Sequence, residues 1–142
     1  MSPGLILIAD EEPALRTLFR IWLEARGYAV VTAVDGVHAL SIVEEYGLPD
    51  AAVVDIHMPR LDGVELCARL KELDRALPTI LISVRIDALE AAGAADADAV
   101  VDKGAGLGVL CDAVEGLLQA RATRTTLRRV GPVAQLVRAG DS

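Results

Sequence analysis

At 142 residues, 53% of them hydrophobic, the chain is long enough for one domain with a substantial core, and no apolar run approaches the ~18 residues that a membrane-spanning helix needs. The net charge of −7 is unevenly spread: residues 1–120 carry nine Lys/Arg against 20 Asp/Glu, whereas residues 121–142 carry five Arg against one acid. An acidic body argues against direct nucleic-acid binding by the domain. The basic C-terminal stretch lacks interleaved aromatics and reads as a flexible or loosely docked extension. Ser2-Pro3-Gly4 leads into the first apolar run without a basic stretch, so no signal peptide is expected and a cytoplasmic setting is. Cys67 and Cys111 lie far apart within helical patterns and are expected to be reduced packing residues.

In chain order, Leu5–Ala9 reads as a strand, and Pro13 opens a helix over residues 13–26. Its apolar stripe is Leu15, Leu18, Phe19, Trp22 and Leu23, and Gly27 ends it. Ala29–Ala33 is a second strand, Asp35-Gly36 a turn, and residues 37–45 a second helix. Residues 51–54 form an apolar third strand that ends at Asp55, after which Pro59 and Leu61-Asp62-Gly63 turn the chain into a helix over 62–73. Thr79–Ser83 is a fourth strand, 87–95 a short Ala-rich helix, and 99–101 a fifth strand. A last helix spans 107–122, with Leu110, Val114, Leu117 and Leu118 facing inward. Trp22, Tyr28 and Tyr46 are expected as packing residues. Strict strand–helix alternation implies an α/β fold, a doubly wound five-stranded parallel sheet with helices on both faces. Residues 1–122 form the domain and 123–142 the tail.

In such sheets the reactive site lies beyond the carboxyl ends of the strands. Strand one ends in Asp10-Glu11-Glu12, strand three in Asp55, strand four in Ser83, and Lys103 follows strand five. Clustered carboxylates repel one another unless a cation neutralises them, and hard oxygen ligands suit Mg²⁺. With a hydroxyl and an ammonium alongside, such a pocket suits phosphoryl transfer, with Asp55 as the nucleophile. Taken singly, each residue has a plainer role: the acids as a helix cap, Ser83 and Asp55 as turn formers, Lys103 as a solvated lysine.

Over about residues 4–120 the chain resembles a response-regulator receiver domain of two-component signalling. Asp10-Glu11-Glu12-Pro13 resembles that family's acidic pair and Pro-started helix, Asp55 with Met58-Pro59 and Asp62-Gly63 its phosphoacceptor motif, and Ser83 and Lys103 its hydroxyl and lysine positions. The resemblance implies strand order 2-1-3-4-5 and a Mg²⁺ ion held by Glu11, Asp55 and the carbonyl of His57, with Asp10 acting partly through water. It also implies a sensor histidine kinase or histidine phosphotransfer protein as phosphoryl donor, and a downstream protein target. A homodimer through the face of the 87–95 helix, the fifth strand and the last helix is a further possibility that the family offers. His57 is expected to lend its carbonyl rather than act as a base.

The chain departs from the family at four points. Val100 stands where an aromatic residue usually precedes the lysine by three positions, Gly104 where a Pro usually follows it, and Val84 where a small residue usually follows the hydroxyl. The interval between Ser83 and Lys103 is about two residues short, which implies a short or distorted helix there. Residues after 122 are too few for a DNA-binding output module, so a stand-alone receiver is expected. It would catalyse only its own phosphorylation and dephosphorylation. Two other readings are a receiver-like module that binds partners without phosphorylation, and a haloacid-dehalogenase-like phosphatase. The second suits the chain poorly, because its isolated Asp lies on strand three and not in an Asp-x-Asp pair on strand one.

Overall fold

The computed structural model describes residues 4–84 and 97–130. Five strands, β1 (Leu5–Ala9), β2 (Ala29–Ala33), β3 (Ala51–Asp55), β4 (Thr79–Ser83) and β5 (Ala99–Asp102), form one parallel sheet in the order β2-β1-β3-β4-β5. The described helices are α1 (Pro13–Ala25), α2 (Gly36–Tyr46), α3 (Gly63–Leu73) and α4 (Leu107–Val130), with a 3₁₀ turn at Lys103–Ala105. The helix expected over 87–95 lies outside the described residues.

Successive side chains of a strand point to opposite faces, and the two halves of the core follow that alternation. Leu7, Ala9, Ala52, Val54 and Leu81 pack with Ala39 and Val43 of α2 and Leu66, Cys67 and Leu70 of α3. Ile6, Ile8, Ala51, Val53, Ile80 and Ile82 pack with Phe19 and Leu23 of α1 and Leu110, Cys111 and Val114 of α4. Both cysteines are buried, and they are not joined in a disulfide. The strands read as continuous apolar runs because both faces are covered.

Three details differ from the sequence reading. On α1 only Phe19 and Leu23 are buried, Leu18 and Trp22 are exposed, and Tyr46 is 76% exposed. The buried face of α1 is narrower than its apolar spacing predicts, and Tyr46 closes the last turn of α2 largely exposed; Tyr28 does pack on the core. β3 includes Asp55, which pairs with Ile82, and β5 includes Asp102. The last helix runs through Val130, past the boundary expected at 122, because no helix breaker occurs before Gly131-Pro132.

Two local features fix the carboxyl edge of the sheet. Asp35 and Asp62 cap α2 and α3 by accepting the backbone N–H groups of His38 (2.8 Å) and Glu65 (2.9 Å). Gly63 approaches the chain at Asp55 so closely that a Cβ there would lie 2.2 Å from the Asp55 carbonyl oxygen. At the opposite end, the buried Lys71 ammonium donates to the Leu77 carbonyl (2.7 Å) and pairs with Asp98 (2.6 Å), whose carboxylate also accepts the Thr79 N–H (2.8 Å). That lysine ties α3 to the starts of β4 and β5.

Replacing Gly63 with Ala is expected to cost about 2–3 kcal/mol, because the clash is with backbone and not with a movable side chain. Lys71→Met should cost about 2 kcal/mol by leaving the Leu77 carbonyl and Asp98 without their cation. Chemical denaturation measures both; a loss below about 0.5 kcal/mol in either would contradict the assigned packing.

Candidate functional site

Parallel pairing sets the ends of four strands level. Ala9 lies opposite Val54, Asp55 opposite Ile82, and Ser83 opposite Asp102, so the residues at or just beyond these ends share one edge. There a cleft of about 590 Å³ is lined by Asp10, Glu11, Glu12, Asp55, His57, Ser83, Val84 and Lys103. All six residues singled out in the sequence, Asp10, Glu11, Asp55, His57, Ser83 and Lys103, are therefore brought together. Glu12 and Val84 join them at the rim, and Val84 is exposed beside Ser83.

Asp10 is wholly buried. Its backbone N–H extends the β1–β2 ladder to the Ala33 carbonyl (3.1 Å), and its Oδ1 accepts the Glu12 N–H (2.9 Å). Arg16, one turn into α1, donates to the Asp10 carbonyl at 2.6 Å. No sequence signal marked Arg16, whose partner is a main-chain oxygen. The Asp10 Oδ2 atom lies 3.0 Å from Lys103 Nζ, close enough for an ion pair but outside hydrogen-bond geometry, so this buried oxygen has charge compensation without a hydrogen bond.

Lys103 follows β5 directly and donates to Asp55 Oδ2 at 3.1 Å. One ammonium thus sits between two carboxylates. Asp55 Oδ1 accepts the His57 N–H at 3.2 Å, while the His57 side chain stands exposed at the rim. Burial pushes the Asp55 carboxyl above its usual range, and the neighbouring Asp10 pushes the same way; Lys103 and the His57 N–H only partly offset them. Burial alone would lower the Lys103 ammonium, but Asp10 and Asp55 together outweigh it and hold the amine above its usual value. Lys103 is therefore a firmly charged group. Ser83 ends β4 as a buried hydroxyl on the same cleft.

Among the described residues, no three His, Cys, Asp or Glu side chains converge as a ready-made metal cluster. The donor set nevertheless fits Mg²⁺, which takes one or two carboxylates and keeps several waters. Asp10 offers a buried carboxylate oxygen with no hydrogen bond, and the cleft adds Asp55, Glu11 and the main chain at His57. Two carboxylates against one ammonium leave the pocket a net acceptor of positive charge.

The departures noted in the sequence also take their places. Val100 lies in β5, partly buried against the core face shared with α2 and α3, where an aliphatic side chain fills space and no ring is present to reorient. The Lys103–Gly104 peptide is trans, and the Gly104 N–H donates to Asp102 Oδ1 at 2.8 Å, which closes the 3₁₀ turn that carries Lys103. Among the described residues no helix is long and apolar enough to cross a membrane.

Comparison with known proteins agrees with this geometry. The family model for the response regulator receiver domain matches residues 6–115. The response regulator MprA of Mycobacterium sp. (strain KMS) is 39% identical over 97 residues, which are 68% of this chain and 42% of that protein. Two solved structures share the fold. One is the signal receiver domain of a signal transduction histidine kinase from Syntrophus aciditrophicus, at 28% identity and TM-score 0.75 over 82% of this chain and 91% of that one. The other is the response regulator TrrA of Thermotoga maritima in complex with Mg²⁺ and BeF, at 28% identity and TM-score 0.74 over 80% of this chain and 98% of that one. With strand order, strand-tip residues and sequence match in agreement, the chain belongs to the response regulator receiver domain family of two-component signalling.

Proposed function

We propose that this domain is a phosphoryl-accepting switch whose acceptor is Asp55. The observation that carries the reading is the placement of Lys103 between Asp10 and Asp55 in an open cleft that also holds the Ser83 hydroxyl. Of the two carboxylates that Lys103 contacts, Asp55 is the more accessible, for Asp10 is wholly buried and is held through both its carbonyl and Oδ1.

In the forward step an Asp55 carboxylate oxygen attacks the phosphorus of a phosphohistidine. The bond from phosphorus to the imidazole nitrogen breaks, the electron pair stays on that nitrogen, and a proton from solvent completes the neutral ring. An acyl phosphate results. Lys103 is already charged and can pass from Asp55 to a phosphoryl oxygen without a proton transfer, and Ser83 can donate its hydroxyl to another. A divalent cation held by Asp10, Glu11, Asp55 and the His57 carbonyl would screen the acids from the incoming phosphoryl oxygens. Dephosphorylation is a separate step: water attacks phosphorus, the acyl oxygen leaves with its electrons, inorganic phosphate departs with a proton lost to solvent, and Asp55 returns as a carboxylate.

In this reading the donor is a sensor histidine kinase or a histidine phosphotransfer protein, and the phosphorylated surface changes the binding of a downstream protein in the cytoplasm. The domain turns over no separate substrate and needs no direct contact with nucleic acid or membrane. Dimerisation through the face that includes β5 and α4 is one form that the output can take. The Mg²⁺ and BeF bound to the Thermotoga relative support the metal part of the reading, since BeF has the shape of a phosphoryl group on a carboxylate. Val100 supports a second, phosphorylation-independent mode of partner binding, because a relay through a rotating ring has no ring here.

Incubation with acetyl phosphate and Mg²⁺ should add the mass of one phosphoryl group to the wild-type chain and none to Asp55→Asn. Unmodified wild type, or equal modification of the variant, would sink the proposal, and a partner that bound both equally well would favour the phosphorylation-independent mode. Stability gives a separate test. Because the folded-state pKa of Asp55 is raised, ionising it disfavours the folded state, and its contribution is lost as pH rises from the ordinary carboxylate value through the raised one. Asp55→Asn should therefore melt at a higher temperature than wild type at pH 7, with the difference vanishing below the ordinary carboxylate pKa. A variant less stable than wild type at pH 7 would contradict the assigned charge balance.

A further inference from the structure

The segment between Asp55 and α3 supplies the His57 N–H to the acceptor carboxylate and rests on the core through Ile56 and Met58. Its turn at Arg60 is held from the neighbouring loop. At Arg60 the backbone takes a φ of +69°, and this is the one non-glycine residue with positive φ among the described residues. The Leu61 N–H returns to the Pro59 carbonyl at 2.8 Å, so Arg60 sits at the centre of a tight three-residue turn of the strained, positive-φ kind. Such a conformation persists only where surrounding contacts over-determine it.

Two contacts do so. The Arg60 Nε donates to Asp35 Oδ2 at 3.0 Å, and its NH2 nitrogen reaches the same oxygen. Asp35 is buried and uses its other oxygen to cap α2 through the His38 N–H, so neither oxygen is left unengaged. The turn also rests on Gly36, where a Cβ would lie 2.4 Å from the Leu61 carbonyl oxygen. Both partners hold the Asp35 carboxyl below its usual range, the His38 N–H most and the Arg60 guanidinium next. The pair is therefore charged wherever the acceptor site works.

We propose that Asp35 and Arg60 are positioning residues for the phosphoacceptor loop, locking the strained turn so that the main chain at His57 keeps its place beside Asp55. Neither residue enters the cleft. Their effect passes through residues 56–59 to the N–H on Asp55 and to the carbonyl that would meet a divalent cation. This inference rests on the phosphoryl-acceptor reading for its kinetic arm and stands apart from it for its metal-binding arm.

The test compares Arg60→Met, Asp35→Asn, their double variant, Arg60→Lys and Lys71→Met in the full chain. Asp35→Asn keeps a helix-capping oxygen and removes only the charge. Mg²⁺ affinity is measured by calorimetry, the rate of acetyl phosphate modification by intact mass at saturating Mg²⁺, and the melting temperature alongside. Arg60→Met and Asp35→Asn should each weaken Mg²⁺ binding and slow modification about tenfold, the size of effect typical of groups that orient a ligand from behind it. The double variant should lose no more than either single one, as expected for two residues that act as a unit, and Arg60→Lys should recover most of the loss. Lys71→Met, which loses stability at the far end of α3, should keep both properties within about twofold. Wild-type affinity and rate in Arg60→Met, or equal losses in Lys71→Met, would overturn the proposal. An unmodified wild type would instead defeat the phosphoryl-acceptor reading, and the Mg²⁺ affinities would still decide this one.

Discussion

An ammonium held between two carboxylates is the interaction on which the rest of this site depends. Without Lys103, a wholly buried Asp10 and a nearly buried Asp55 would face one another in a poorly solvated cleft, and neither could remain ionised without large cost. One cation satisfies two anions only in part. The remaining negative charge makes the cleft receptive to a second cation, and the mobility of a lysine stem lets the first one change partners. Charge imbalance is thus the chemical resource of the site, and the fold is arranged to maintain it.

The arrangement begins in the sheet. Parallel pairing brings the ends of β1, β3, β4 and β5 to one edge, and the polar residues at or just beyond the ends of these apolar strands meet there. Close backbone approaches then fix the loop after Asp55 from two sides, Gly63 at the start of α3 and Gly36 at the start of α2. The 3₁₀ turn after β5, closed by the Asp102 side chain, fixes the base of Lys103. The main chain around the cleft is therefore held from several sides, as suits a reaction in which charge moves over only a few ångströms. How the changed charge is passed to a partner is a separate matter. Val100, partly buried against the core, offers no ring that could reorient.

The fold and the cleft were largely legible in the sequence because both follow from local pattern and one topological rule. Alternating apolar runs marked the strands, and the rule that parallel sheets react at their carboxyl ends turned four scattered tips into one site. Asp10, Glu11, Asp55, His57, Ser83 and Lys103 line the same cleft for that reason. Side-chain pairs across long intervals were not legible. Arg60 with Asp35 and Lys71 with Asp98 are separated by 25 and 27 positions and leave no periodic trace. The exposure of Trp22 and Tyr46 also escaped, since helical spacing sets a direction and not a depth. The extension of α4 through Val130 could have been found: Arg, Ala and Leu favour helix, and the first true breaker is Gly131-Pro132.

Borohydride trapping tests the central claim most directly. An acyl phosphate on a side-chain carboxylate is reduced to an alcohol, whereas free carboxylates are untouched, and the reduced residue can be located by peptide sequencing in the mass spectrometer. After incubation with a phosphohistidine donor and Mg²⁺, the account predicts homoserine at position 55 and at no other acid. Reduction at Asp10, Glu11 or Glu12, or an unreduced Asp55 in a chain that carries the phosphoryl mass, would contradict it.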